Sequence, residues 1–145
     1  MNLEGKVAIV TGGSRGIGAS IARRYGAEGA RVAVVAHTNL DKARAVAGEI
    51  VSAGGEAQAF QADVAKVSEC ARLADAVIAA FGTVDILVNN AGIFIAATIE
   101  ETTEEIWDAQ MDINLKGSFF MAKAVVPAMK ATGRGKIINV TSIAG

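Results

Sequence analysis

The 145-residue chain has single copies of several residue types, and each scarcity excludes a class of protein. One cysteine, Cys70, cannot form an internal disulfide. With one histidine, His37, the chain also lacks the ligand clusters of structural zinc sites. A single proline beside 16 glycines excludes a proline-rich linker or collagen. We therefore expect no bound metal and a reducing, cytoplasmic location.

An excess of charge and a long apolar run are missing as well. Fourteen basic and 15 acidic residues give a net charge of −1, so no broad basic field exists to neutralise a nucleic-acid backbone. No apolar run approaches the ~20 residues of a membrane-spanning helix, and residues 1–4 lack the basic start of a secretory signal. Neither nucleic acid nor a membrane is an expected partner.

What the chain does contain is enough apolar sequence for one folded domain over residues 1–145. Hydrophobic residues make up 52% of it and charged residues 20%. Four short runs are apolar without alternation, which suits strands covered on both faces, as in a parallel sheet. These runs are residues 7–10, 32–36, 86–88 and 137–140. A fifth run, residues 56–61, alternates and is predicted to lie at a sheet edge.

Segments of helical length separate the runs. Apolar residues recur at helical spacing after Gly18, and two pairs resemble capping boxes: Thr38 with Asp41, and Thr102 with Glu105. The second pair opens one long predicted helix that ends near Gly133. Alternating strands and helices predict an α/β fold, a doubly wound parallel sheet with helices on both faces.

A glycine-rich loop, residues 11–18, joins the first strand to the first helix. It has four glycines, of which Gly12, Gly16 and Gly18 have the spacing Gly-x-x-x-Gly-x-Gly. Glycines here allow a sharp turn and a close approach to a pyrophosphate, which the free N–H groups of a helix start attract. The alternative is a tight turn that binds nothing. The position after the first strand of a βαβ unit favours a dinucleotide site.

The end of the second strand predicts NADP(H) rather than NAD(H). A site for NAD places an acid about 20 residues beyond the glycines, but here the first acid is Asp41. Arg15 in the glycine loop offers a planar cation for a 2′-phosphate, with His37 as a weaker indication. The alternatives are a solvated arginine and an ordinary polar residue at a strand end.

Three later motifs occur in an order that resembles the short-chain dehydrogenase/reductase family, from about Lys6 to the last residue. They are Asp63-Val64, the run 89–92 (Asn-Asn-Ala-Gly) and the run from Asn139 through Ser142 to Gly145. The resemblance implies a Rossmann-like sheet with strand order 3-2-1-4-5, from which the C-terminal part of the family fold is absent. It also implies hydride transfer between NADP(H) and a carbonyl or secondary alcohol, with a 3-oxoacyl thioester as the first candidate substrate.

The resemblance assigns roles to individual residues. The residues implied to contact the phosphates are Gly12, Ser14, Arg15, Gly16, Ile17 and Gly18. His37 and Thr38 are implied to contact the ribose, and Asp63 and Val64 the adenine. Asn90, Ala91 and Gly92 are implied to lie on the nicotinamide side, and Asn114 and Ser142 at the reaction centre.

Each assignment has a structural alternative. Asp63 either accepts from an adenine amino group or caps the turn into the next helix. The run 89–92 either forms a wall of the cofactor site or is only a turn, and we assign Asn89 mainly to structure. Asn114 either holds a relay water or braces the core. Ser142 either orients a carbonyl or forms a serine turn.

The proton donor of the family is not in the printed sequence. The family uses a tyrosine with a lysine four residues later, about a dozen residues beyond the serine that matches Ser142. The one tyrosine, Tyr25, is followed four residues later by Gly29. We therefore expect little turnover from this segment alone and interpret it as part of a longer chain. The alternative is a non-catalytic dinucleotide-binding or oligomerisation module.

The long helix is the expected contact between subunits. In the family the helix that matches residues 102–130 packs against a second subunit, which implies a homo-oligomer, in the intact protein a tetramer. Its second half has more apolar residues than one core-facing stripe needs. These are Phe119, Phe120, Met121, Val125, Val126 and Met129. The alternative is that they cover a missing C-terminal segment.

Overall fold

The computed structural model describes residues 2–142, which form five strands separated by helices. The strands are β1 Val7–Val10, β2 Arg31–Ala36, β3 Glu56–Gln61, β4 Ile86–Asn89 and β5 Lys136–Asn139. The α-helices are α1 Gly16–Ala27, α2 Leu40–Ser52, α3 Val67–Phe81, α4 Glu104–Met111 and α5 Ser118–Ala131. A π-helical turn, Asp112–Gly117, joins α4 to α5.

The strands form one parallel sheet in the order β3-β2-β1-β4-β5, as predicted. The alternating strand β3 lies at an edge, and β1 lies at the centre between β2 and β4. Val10, the last residue of β1, pairs with Val34 on one side and Val88 on the other. Because all strands run the same way, their carboxyl ends share one edge of the sheet.

Helices cover both faces of the sheet. Val7 and Ile9 pack with α3 and α5, whereas Ala8 and Val10 pack with α1 and α2. Successive side chains of a strand point to opposite faces, so β1 is apolar at every position and fully buried. No helix in residues 2–142 is both long and apolar enough to cross a membrane.

The fifth strand is an exposed edge of the sheet, as the absence of the C-terminal part of the family fold implies. An apolar run such as 137–140 suits a strand covered on both faces, but Ile137 and Ile138 are 39% and 42% exposed. β5 pairs only with β4 and forms the second edge of the sheet. Its apolar side chains therefore face solvent in the part of the chain that the structure describes.

The predicted long helix is three pieces, and two predicted caps are wrong. The helix that begins after Thr103 changes to a π-helical turn at Asp112 before it continues as α5. Thr103, not Thr102, is its cap, since its hydroxyl oxygen accepts from Ile106 N at 3.3 Å. Thr38 caps nothing, because α2 begins after Asn39 without a side-chain cap. The side chain of Asp41 pairs with Arg44 instead.

A buried carboxylate ties the opposite, amino-terminal edge of the sheet together. Asp85 is 3% exposed and lies just before β4. Its side chain accepts from Val7 N at 2.9 Å and from Arg134 Nε at 2.8 Å, and its carbonyl oxygen accepts from Lys136 N. Burial alone would raise the pKa of Asp85, but the hydrogen bonds from Val7 and Arg134 outweigh it and hold that pKa below its ordinary value.

Replacing Asp85 with asparagine should lower the free energy of unfolding at pH 7 by about 1–3 kcal/mol, because the charged acceptor of two buried hydrogen bonds is lost. A carboxylate whose pKa is lowered on folding stabilises the protein above the unfolded value of about 3.9, and this contribution disappears as the pH falls through the folded value. The difference between D85N and the wild type should therefore shrink in acid. Urea unfolding at pH 7, 5 and 3.5 measures it.

Asp75 provides a matched control on the exposed side of α3, without a hydrogen bond or ion pair in residues 2–142. Asp75→Asn should change the free energy of unfolding by less than about 0.5 kcal/mol at pH 7. Equal effects of D75N and D85N would contradict the role of Asp85.

Candidate functional site

A cleft opens where the carboxyl ends of β1 to β4 meet. It encloses about 400 Å³, within the range of small-molecule sites. Its lining comes from the glycine loop, from the turns that follow β2 and β3, and from the run after β4. The lining residues are Gly12, Ser14, Arg15, Gly16, Ile17, Val35, Ala36, His37, Thr38, Asn39, Ala62, Asp63, Val64, Asn90, Ala91, Gly92, Ile93 and Ile113.

The glycine loop packs so closely against the turn after β4 that side chains are excluded from the contact. A Cβ atom on Gly12 would lie 3.0 Å from both Asn90 Nδ2 and Ala91 Cα, and the positive φ of Gly12, 63°, independently favours glycine. A Cβ atom on Gly18 would overlap the carbonyl oxygen of Gly12. Gly18 is therefore buried behind the loop and does not line the cleft.

Thr11 and Asn90 fasten this contact with hydrogen bonds. The Thr11 hydroxyl accepts from Asn90 N and Ala91 N at 3.0 Å each and donates to Val88 O at 3.2 Å. Its one donor and two acceptor positions are all used. Asn90 Nδ2 donates back to the carbonyl oxygens of Thr11 and Gly12 at 3.1 and 3.2 Å. Asn90 is thus both part of the cleft wall and a clamp on the glycine loop.

The start of α1 faces the cleft without a side-chain cap. Arg15 is the N-cap residue and supplies no capping side chain, and the first hydrogen bond of the helix is from Ala19 N to Arg15 O. The N–H groups of residues 16–18 have no hydrogen-bond partner in the described part of the chain. Three unpaired N–H groups at a helix start attract an anion. The residues present therefore fit a phosphate group.

Charged and polar side chains meet at the ends of β2 and β3. Asp63 Oδ2 lies 3.8 Å from His37 Nε2 and 3.7 Å from Lys66 Nζ. Arg15 is exposed and makes no ion pair within residues 2–142. Gln61 Nε2 donates to His37 O at 3.0 Å and so fixes the backbone where β2 ends. The arrangement leaves the Arg15 guanidinium available to an anionic ligand.

Asp63 takes the turn-capping role and also lines the cleft. Its Oδ1 accepts from Ala65 N at 3.0 Å, which is the turn-capping role, and this leaves Oδ2 on the side of His37 and Lys66. Beneath it, the Cys70 thiol is buried and donates to Val64 O at 3.4 Å. Burial raises the pKa of Cys70, which keeps the thiol neutral, so the lone cysteine packs behind the wall.

Asn114 and Ser142 lie beyond the lined part of the cleft. Asn114 is exposed on the π-helical turn, and its amide bonds both backbone groups of Ile93: Oδ1 accepts from Ile93 N at 2.9 Å and Nδ2 donates to Ile93 O at 2.8 Å. Asn114 therefore braces the run after β4 rather than the core. Ser142 is exposed after β5. The last residues of its motif, 143–145, lie outside the described residues.

Asn89 links three elements behind the site. Its Nδ2 donates to Asn139 Oδ1 at 2.9 Å and to Ser118 O at 3.2 Å. The side chain thereby joins the ends of β4 and β5 to the start of α5, a structural position of the kind assigned to it. The bond also fixes Asn139, three residues before Ser142.

The residues of the site that sequence reasoning missed include Thr11, Ile93 and Ile113. Thr11 sits beside the glycines and was not distinguished from them, although a threonine at the buried end of a strand needs hydrogen-bond partners. Ile93 and Ile113 carry no polar signal, and only the folded chain brings them to the cleft. Within residues 2–142, no three His, Cys, Asp or Glu side chains are grouped to hold a metal ion.

Comparisons with known proteins agree on one family. The family model described as short chain dehydrogenase matches residues 6–145. D-threitol dehydrogenase of Mycolicibacterium smegmatis is 44% identical over 140 residues, which are 97% of this chain and 54% of that protein. A 3-oxoacyl-acyl-carrier-protein reductase of Staphylococcus epidermidis is 47% identical over 140 residues, 97% of this chain and 57% of that protein.

A solved structure that resembles this chain belongs to the same family. The structure of a metagenomic short-chain oxidoreductase in complex with NADP superposes with a TM-score of 0.94 at 46% identity, and the match covers 99% of this chain and 65% of that one. The chain thus spans little more than half the length of the relatives it matches.

Replacing Gly18 with alanine should lower the free energy of unfolding by about 1–3 kcal/mol, because the new methyl group forces the glycine loop away from Asn90. Gly48→Ala is the matched control: Gly48 lies on the exposed side of α2, with nothing within 4 Å of a Cβ atom. That substitution should stabilise the helix by roughly 0.5–1 kcal/mol. Urea unfolding compares them, and a G18A variant as stable as the wild type would refute the close contact.

Proposed function

The chain belongs to the short-chain dehydrogenase family, and from this premise we propose that its cleft binds NADP(H) for hydride transfer between the nucleotide and a carbonyl or secondary alcohol. The observation that carries the proposal is the uncapped start of α1 at the cleft, with its three unpaired N–H groups. A pyrophosphate placed there would satisfy these groups. Residues 1–145 would form one nucleotide-binding domain of a cytoplasmic protein.

The choice of NADP(H) over NAD(H) rests on charge at the end of β2. Residues 36–39 carry no carboxylate that would accept from a ribose 2′-hydroxyl and repel a 2′-phosphate. The next acid along the chain, Asp41, is 97% exposed at its side chain and is paired with Arg44. Arg15, with no other partner among the described residues, would pair with the 2′-phosphate, and His37 and Thr38 would lie beside it.

The remaining contacts follow the cleft from one end to the other. Asp63 and Val64 would contact the adenine, with Asp63 Oδ2 as the acceptor because Oδ1 already serves the turn. Ser14, Gly16 and Ile17 would surround the phosphates, with the buried Gly18 behind them at the start of α1. Residues 90–92 would form the wall beside the nicotinamide ribose, held in place by the Thr11 hydroxyl.

Chemistry would take place beyond this wall. The bound nucleotide supplies or accepts the hydride. Ser142 would donate a hydrogen bond to the carbonyl oxygen of the substrate, and Asn114 would hold the backbone of Ile93 in place beside the reaction centre. Loss of a general acid typically costs ~10²- to 10⁴-fold in rate, so residues 1–145 alone would turn over poorly.

The first substrate class to test is a 3-oxoacyl thioester, since a reductase of that class is 47% identical to this chain. A polyol is the second, because D-threitol dehydrogenase is 44% identical. A spectrophotometric assay of NADPH oxidation, with an acetoacetyl thioester and a ketone panel, compares them. Nucleotide binding without turnover on any of them would favour a non-catalytic binding module.

Replacing Arg15 with glutamine should weaken NADPH binding about 10- to 100-fold, because a charge-assisted pair with the 2′-phosphate is lost, and should leave NADH binding unchanged. Fluorescence titration of both nucleotides measures the two affinities. Arg24→Gln is the matched control, since Arg24 lies on the same helix and pairs with Glu28. Tighter binding of NADH than of NADPH by the wild type would refute the cofactor preference.

We also propose that the chain forms homo-oligomers, a tetramer in the intact protein, through the region 102–130. The structure reduces the apolar surface expected there, because Met121, Val125 and Met129 are buried in the core. Trp107, Leu115 and Phe119 remain 59% to 63% exposed. Leu115 and Phe119 are four residues apart, as neighbours on one helix face are. Burying this face against a second copy would remove its apolar surface from water.

Replacing Phe119 with glutamate should shift the chain from oligomer to monomer, since a charge would then enter the buried contact. Phe119 is exposed, so the fold of the monomer should be unaffected. Sedimentation velocity measures the distribution. Val51→Glu, on the exposed side of α2, is the control and should leave the oligomer intact. A monomeric wild type at micromolar concentration would argue against the proposal.

A further inference from the structure

The exposed run that follows Gly92 is attached to the helical region by two amide side chains. Asn114 bonds the N–H and the carbonyl oxygen of Ile93, and Gln110 Oε1 accepts from Ile95 N at 3.1 Å. Gln110 is half-buried in the last turn of α4, four residues before Asn114. The run 93–95 is therefore held at two points from one helical segment.

The two amide side chains hold alternate residues of the run. Asn114 Oδ1 accepts from Ile93 N at 2.9 Å, and Gln110 Oε1 accepts from Ile95 N at 3.1 Å. The side chain between them, Phe94, is 81% exposed, whereas Ile93 and Ile95 are 36% and 37% exposed.

Ile93 connects this attachment to the cleft. It lines the cleft together with Ile113, which immediately precedes Asn114, and it follows the wall of residues 90–92. Arg15, His37 and Asp63 line the part assigned to the adenosine. A displacement of Ile95 would pass through one intervening residue to Ile93, so the Gln110 bond restrains the cleft wall that continues from Gly92.

We propose that Gln110 is a positioning residue for the nicotinamide end of the cleft, acting through its hydrogen bond to Ile95 N. This inference rests on the proposed nucleotide function. Asn114 alone leaves the run free to pivot about Ile93, and the second attachment removes that freedom. Gln110 is not among the residues that line the cleft. Its loss should weaken only those contacts that the nicotinamide half of the ligand makes.

Two ligands separate this effect from a general loosening of the fold. NADPH contains the nicotinamide, whereas 2′-phospho-ADP-ribose has the same adenosine, phosphate and 2′-phosphate groups without it. The ratio of their dissociation constants reports the contribution of the nicotinamide. Gln110→Met keeps the length of the side chain and removes the acceptor, and Gln110→Glu keeps an acceptor oxygen. Gln58→Met, on the exposed side of β3, is the matched control.

In Q110M we expect NADPH to bind about 3- to 10-fold more weakly, as for the loss of one hydrogen bond, while the affinity for 2′-phospho-ADP-ribose stays at the wild-type value. Q110E should restore most of the NADPH affinity, and Q58M should resemble the wild type. Amide hydrogen exchange should be faster at Ile95 in Q110M and unchanged in β1. Isothermal titration calorimetry and exchange measured by NMR supply both readouts.

Three outcomes would overturn the inference. Equal weakening of both ligands would indicate a structural role, and an unchanged ratio with normal wild-type binding would show that Gln110 does not position the site. Unchanged amide exchange at Ile95 in Q110M would show that Gln110 does not hold the Ile95 N–H group. Failure of the wild type to bind either nucleotide is distinguishable from these, because it would overturn the proposed function and this inference together.

Discussion

The close contact between the glycine loop and the turn after β4 is the constraint on which the cleft depends. Asn90 donates to the carbonyl oxygens of Thr11 and Gly12, and the Thr11 hydroxyl accepts from the turn in return. Neither set of bonds could form if Gly12 or Gly18 carried a side chain. The loop is therefore held by its own carbonyl groups, and this leaves the N–H groups at the start of α1 for a ligand.

The amino-terminal and carboxyl-terminal edges of the sheet differ in how their polar groups are paired, because all strands run in the same direction. At the amino-terminal edge, the charge of Asp85 is buried and fully bonded to Val7 and Arg134, which fastens three strands. At the carboxyl edge, the parallel strands end together and the polar groups remain partly exposed, as Asp63 and His37 do. The buried, paired charge of Asp85 lies at the edge away from the cleft, and the unpaired N–H groups of residues 16–18 lie at the cleft edge.

The sheet and most cleft residues were predictable because their signals are local. An unbroken apolar run such as Val7–Val10 indicates a strand buried on both faces, and glycines directly after it indicate a close backbone approach. Helix caps were less predictable. Thr102 and Thr103 are adjacent threonines, and only the observed start of α4 shows that Thr103 is the cap. The π-helical turn at Asn114 has no composition that separates it from an α-helix, so one long helix was expected.

Sequence alone predicted the alternation of strands and helices, because hydrophobic periodicity is written in consecutive residues. Short motifs, also made of consecutive residues, carried the resemblance to the family, and that resemblance implied the strand order and the residues at the carboxyl edge. Only the tertiary structure decided which partners those residues take: that Asn90 reaches the carbonyl oxygens of Thr11 and Gly12, that Asn89 joins β4 to Asn139, and that Gln110 reaches Ile95. Each of these pairings joins atoms that are distant in the chain, and it exists only once the elements have packed.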